Sequence, residues 1–136
     1  MFLLDTNILS ELYKKQPNPG VMAWFARERA DEARLYVSVM TLGEIQHGAE
    51  KIKHRDPLQA ISLEFKLDKL KEEFEGYILP VDDAIALDWG RILKKDGSNR
   101  IDALFVATAR VHQLTLVTRN VKHVRDFDVA FLNPFS

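Results

Sequence analysis

Four polar side chains, far apart along the chain, could do chemistry together: Asp5, Glu44, Asp102 and Asn120. Three of them are carboxylates. Carboxylates crowded at one place repel, and a bound divalent cation relieves the repulsion. Oxygen ligands without Cys or His point to Mg²⁺ or Mn²⁺. Such an ion keeps waters, takes up phosphate oxygens and stabilises the charge of in-line displacement at phosphorus. Whether the four side chains meet depends on the elements that carry them.

Phe2-Leu3-Leu4 is a short apolar run with the length of a buried strand, and it stops at Asp5. Ile8, Leu9 and Leu12 then repeat at helical spacing. Asn18-Pro19 offers a cap and a first helical residue for a helix carrying Val21, Met22, Trp24 and Phe25 to about Ala30. The β-branched and aromatic run Leu35 to Val39 reads as a second strand, with Thr41 capping the helix of Leu42, Ile45, Ala49 and Ile52. Asp56-Pro57 opens a long helix through Leu58, Ile61, Leu63, Phe65, Leu67, Leu70 and Phe74, which Gly76 ends. A third strand covers 77–81. Asp82 caps a helix through Ile85, Leu87, Trp89 and Leu93 with Gly97 as its stop, and Asn99 caps the helix 101–112. Strands at 115–118 and 129–132 complete the chain, the last with the least determined direction.

Strands separated by helices need crossovers rather than hairpins, so the sheet is mainly parallel and covered on both faces. This predicts one three-layer α/β/α domain over 1–136. In such a sheet ligand sites lie at the carboxyl edge. Asp5 ends the first strand there. Glu44 is placed in the first turn of the helix leaving the second strand. Asp102 opens the helix that feeds the fourth strand, and Asn120 follows that strand. All four therefore project from one edge.

Each residue also has a purely structural explanation. Thr41-x-x-Glu44 is a capping-box pattern. Asp5 could cap its helix, Asp102 favours the helix dipole, and Asn120 suits a turn with positive φ. His47 reads as a surface or packing residue. His54, His112 and His123 show no positioned partner, and no Gly-rich phosphate loop or nucleophile elbow is present. Apolar helix faces such as Val21, Trp24, Phe25 and Leu63, Leu67, Leu70 could be core, dimer interface or partner groove, with core the default.

Composition sets outer limits. The 136 residues are 46% hydrophobic and 29% charged, which is the balance of a folded domain. With no cysteine, disulfides and thiolate zinc sites are excluded. No apolar run approaches the roughly 18 residues of a membrane span, and no secretory signal pattern opens the chain. A cytoplasmic protein without membrane association is expected. The net charge of −1 advertises no global attraction to nucleic acid. Basic clusters occur locally, at Lys51, Lys53, His54 and Arg55 and at Arg119, Lys122, His123 and Arg125.

Four stretches together carry a resemblance: Leu3 to Leu12 (LLDTNILSEL), Ser38-x-x-Thr41-Leu42-Gly43-Glu44-Ile45, Asp102 to Ala109 (DALFVATA) and Leu114 to Asn120 (LTLVTRN). In order and spacing the chain resembles the PIN-domain nucleases, and more narrowly the VapC/FitB-type toxins of bacterial toxin–antitoxin pairs. The resemblance implies a Mg²⁺- or Mn²⁺-dependent endoribonuclease. It also implies a homodimer and a small antitoxin that blocks the active site. By position, Asp5, Glu44 and Asp102 match the family's acidic, metal-binding cluster. Asn120 stands at its fourth position, often Asp, so one firmly held ion is expected, with a second recruited by RNA phosphate. Thr6, Asn7 and Thr118 would be orienting residues and Arg119 a backbone contact. A non-catalytic RNA-binding module on the same fold, and a metal-dependent DNA nuclease or phosphatase using the same acids, are the competing expectations.

Overall fold

A computed structural model describes all residues 1–136. Five strands form one sheet: β1 (Phe2–Leu4), β2 (Leu35–Ser38), β3 (Ile78–Leu79), β4 (Thr115–Val117) and β5 (Phe131–Leu132). Their order is β3-β2-β1-β4-β5, and every neighbouring pair is parallel. Seven helices make the connections: α1 (Thr6–Leu12), α2 (Pro19–Ala30), α3 (Val39–Ile52), α4 (Pro57–Glu73), α5 (Asp83–Ile92), α6 (Arg100–Val111) and α7 (Val121–Val124). None is long and apolar enough to cross a membrane. The expected three-layer α/β/α arrangement is thus found, and the last strand is parallel like the rest.

The central strand shows why the layers form. Successive side chains of a strand point to opposite faces. Leu4 packs with Ile8, Leu9, Val21, Trp24, Leu70 and Phe74 on one face. Leu3 packs with Phe105, Val106, Ala109 and Val124 on the other. Both leucines are fully buried, and burying such a side chain is worth about 1.5–3 kcal/mol. Val21, Trp24, Leu67 and Leu70 are therefore core residues, as the default reading has it. The opposite side of α4 is different. Leu58, Ile61 and Phe65 are 80%, 62% and 72% exposed and lie about one turn apart.

Several boundaries move. The second and third strands are shorter than expected, and α3 starts at Val39 rather than after Thr41. Ser38 is its cap, the hydroxyl accepting from the Met40 N–H at 3.1 Å. The Thr41-x-x-Glu44 capping box is therefore not formed. Gly97 (φ +71°) occupies a turn well beyond the end of α5 instead of stopping it, because Leu93 already leaves the helix with extended backbone. Asn99 holds the cap position of α6 without capping it. Its Oδ1 instead accepts from the Lys94 N–H at 2.9 Å.

Candidate active site

Register builds the site. Leu4 is level with Val37 on one side and Val117 on the other, so β1 and β4 finish together and β2 one residue later. The next residues, Asp5, Ser38 and Thr118, stand side by side at the carboxyl edge. Asp5 caps α1: its Oδ1 accepts from the Thr6 N–H at 2.7 Å. Its Oδ2 accepts from the Thr118 hydroxyl at 2.7 Å and from Asn7 Nδ2 at 3.4 Å. Thr118 Oγ1 in turn accepts from the Asn120 N–H at 3.0 Å, and Asn7 Oδ1 accepts from the Arg119 N–H at 3.3 Å. The 118–120 segment is thereby stitched to the start of α1.

Glu44 joins through Thr6. The Thr6 hydroxyl donates to Glu44 Oε1 at 2.6 Å and lies 2.9 Å from Thr41 Oγ1. A carboxylate can only accept and Thr6 has one hydroxyl proton, so Thr41 is the donor to Thr6. Starting α3 three residues early puts Glu44 in its second turn, not the first, and turns Thr41 fully inward. Thr41 is a site-building residue that sequence reasoning missed. The signal was Ser38, an equally good cap one residue before the helix.

Asp102 lies in the first turn of α6, as expected. Its Oδ2 is 3.2 Å from His123 Nδ1. The expectation that His123 has no partner is corrected: α7 begins directly after Asn120 and carries His123 back over Asp102. Asn120 reaches the edge, but its φ of −86° is not the positive φ of a left-handed turn. It enters the network through its backbone N–H, and its side chain makes no hydrogen bond to Asp5, Glu44 or Asp102. Arg119 is exposed, with its guanidinium 4.9 Å from the centre of the Phe135 ring. The first basic cluster, Lys51 to Arg55, lies at the far end of α3, whose 14 residues set it roughly 20 Å along the helix from Ser38.

The charges feel one another. Burial pushes the Asp5 carboxyl above its ordinary range; the hydrogen bonds from Thr118 and Thr6 pull it back, and the negative charge of Asp102 adds to the rise. Burial likewise raises Glu44, opposed by the Thr6 hydroxyl and reinforced by Asp5 and Asp102. An all-oxygen set of mutually repelling acids is the donor chemistry of a hard divalent cation. The side chains as they stand are engaged laterally, Glu44 with Thr6 and Asp102 with His123. No three of the His, Asp and Glu side chains converge on one chelating point.

The profile of the PIN domain matches residues 2–128. Toxin FitB of Neisseria gonorrhoeae is 31% identical, with 99% of both chains covered. A VapC ribonuclease of Sinorhizobium fredii is 26% identical over 99% of this chain and 98% of its own. Among solved structures, FitAcB from Neisseria gonorrhoeae superposes with a TM-score of 0.68 at 30% identity, covering 98% of each chain. VapBC2 from Rickettsia felis, bound to a DNA fragment from its promoter, gives a TM-score of 0.74 at 22% identity over 97% of each chain, a likeness of fold.

Proposed function

The chain belongs to the PIN-domain family, and on that premise we propose that it is a metal-dependent endoribonuclease acting as the toxin of a toxin–antitoxin pair. The observation that carries this reading is the pairing of Asp5 and Glu44 on one residue. Thr6 donates its N–H to the first and its hydroxyl to the second, and the Asp102 charge acts on both. The names of the relatives, a toxin and a ribonuclease, agree with it.

Asp5, Glu44 and Asp102 would hold Mg²⁺ or Mn²⁺. The ion, when bound, supplies charge neutralisation at the scissile phosphate and lowers the pKa of a water. The chain's own residues do the rest. Thr118, Thr6 and Asn7 fix the direction of both Asp5 oxygens. Thr41 orders Thr6, and Thr6 orders Glu44. Arg119, fixed at its N–H by Asn7, contacts the RNA backbone beside the scissile bond. Water attacks phosphorus in line with the departing 3′-oxygen, leaving a 5′-phosphate and a 3′-hydroxyl. Asn120 adds no charge, which favours one protein-held ion.

The partners proposed are RNA, a second copy of the chain and a small antitoxin. The exposed Leu58, Ile61 and Phe65 on α4 support a protein partner, since a row of large apolar side chains left in water is an interaction face by default. The test is cleavage of single-stranded RNA by the purified protein with Mg²⁺ or Mn²⁺. EDTA and Asp5→Asn are each expected to abolish it. Cleavage that survives both overturns the metal-dependent reading, and equal cleavage of matched DNA oligomers overturns the choice of RNA. Co-purification with the product of an adjacent short reading frame checks the antitoxin.

A further inference from the structure

A cleft of about 370 Å³ opens beside Asp102, between the 94–99 loop, the first turn of α6 and α7. Its size lies within the roughly 300–1,000 Å³ of small-ligand sites. Asp102 belongs to its lining, as do Lys122 and His123 of α7, and α7 starts after Asn120, whose N–H is bonded to Thr118, the hydroxyl partner of Asp5, so the cleft adjoins the acid cluster.

The lining has the chemistry of a single-stranded nucleotide site. Lys94 and Lys122 supply cations, and Phe127 supplies a half-buried ring. Basic side chains interleaved with an aromatic face are how proteins hold unstacked nucleotides: phosphates take the cations and a base stacks on the ring. Ser98 adds a hydroxyl able to meet a base edge or a 2′-hydroxyl. Asn99 is only 9% exposed, and its orientation is fixed because Oδ1 accepts from the Lys94 N–H. Its Nδ2 is the one buried side-chain polar atom in the chain without a partner. Asp126 also lines the cleft and is an adverse charge for a phosphate.

We propose that this cleft is the subsite for the RNA nucleotide next to the scissile phosphate, with Phe127 stacking on its base and Lys94 and Lys122 contacting its flanking phosphates. This rests on the nuclease reading above and assigns where that substrate lies. It makes Phe127 and the two lysines determinants of substrate affinity and of the base preferred at that position.

The experiment measures binding of a labelled single-stranded RNA to the Asp5→Asn protein across salt concentrations, beside cleavage kinetics with Asp5 intact. Lys94→Ala and Lys122→Ala are each expected to reduce the salt slope of binding by about 0.7. Phe127→Leu keeps bulk against the core and loses the aromatic face, so RNA binding falls about 5-fold or more, and Phe127→Tyr restores it. Asp126→Asn is expected to tighten binding, a gain that a damaged fold does not produce. In cleavage these changes appear in KM with kcat held. If the Asp5 protein cleaves RNA while salt slope, affinity and KM ignore all these changes, the cleft assignment is overturned and the nuclease reading stands. If no cleavage occurs but binding responds as described, the nuclease reading falls, and the cleft's place next to a scissile phosphate falls with it, leaving an RNA-binding cleft. An equal response with matched single-stranded DNA overturns the assignment to RNA.

Discussion

Replacing Thr118 by valine removes one hydroxyl and keeps the shape of a fully buried side chain. That hydroxyl donates to Asp5 Oδ2 at 2.7 Å and accepts from the Asn120 N–H at 3.0 Å. A hydrogen bond to a charged group contributes about 1.5–3 kcal/mol net. Asn120 is exposed, so its N–H can turn to water and adds little. Thr118→Val is therefore expected to cost about 1.5–3 kcal/mol at pH 8. The pH dependence carries the sign. Burial raises Asp5 above its ordinary 3.8, and the Thr118 hydroxyl opposes that rise. A group whose folded pKa is raised contributes stability that is full below the unfolded value and is lost as pH rises through the folded value. Without the hydroxyl the folded value lies higher still, so the variant loses more over the same ascent. The cost of the substitution grows with pH. It is small where Asp5 is protonated in both proteins and complete where it is ionised in both. Urea denaturation of the two proteins in EDTA, from pH 5 to pH 8, measures the difference through midpoints at constant slope. A difference that does not change with pH, or a cost below about 0.5 kcal/mol at pH 8, the range of an ordinary surface change, would refute the assignment of Thr118 to an ionised Asp5.

Thr6→Val removes the donor that orders Glu44, and the loss of such an outer partner weakens metal binding about 10- to 100-fold; calorimetric titration with Mn²⁺ checks it, and unchanged affinity would detach Glu44 from the ion. Gly20→Ala drives a Cβ into Pro134 O and to 2.7 Å from Ser136 N, so backbone must move. It is expected to cost about 1–3 kcal/mol and to expose residues 133–136 to protease, read by denaturation and mass spectrometry. Arg110 holds the buried Asp88 through contacts of 2.9 and 3.4 Å. Because the arginine is partly exposed, Arg110→Ala is expected to cost about 2–3 kcal/mol, below the full value for rupture of a buried pair. A double-mutant cycle with Asp88→Asn measures the coupling, and a coupling near zero contradicts the pairing.

The acids were legible in the sequence because the reasoning that placed them was topological. A parallel sheet returns every strand in the same direction, so a carboxylate after one strand and another at the start of a helix feeding the next must share an edge. The sheet order itself was not legible, since apolar runs such as Leu35 to Ser38 and Thr115 to Val117 do not say which neighbour they pair with. Thr6 and Thr118 were expected as orienting residues; what escaped was the hydroxyl of Thr41 behind them. Ser38 and Thr41 are both good caps, and only the docking of α3 decides between them. Choosing Ser38 turns Thr41 into the interior and hands it to Thr6. His123 escaped for a related reason: α7 has only four residues, too few for a periodic pattern to show which way its side chains face.

Thr6 is the pivot that the acids alone do not reveal. Its backbone N–H orders Asp5, its side chain orders Glu44, and Thr41 orders Thr6 from beneath. One residue therefore couples two carboxylates that burial already holds above their ordinary range and that the Asp102 charge raises further. An aspartate at position 120 would bring a fourth charge into that company. An asparagine keeps the backbone N–H that binds Thr118 and leaves the charge out. On the proposed metal-dependent reading, the amide at position 120 thus keeps the backbone bond that ties the edge together and adds no charge for a cation to offset.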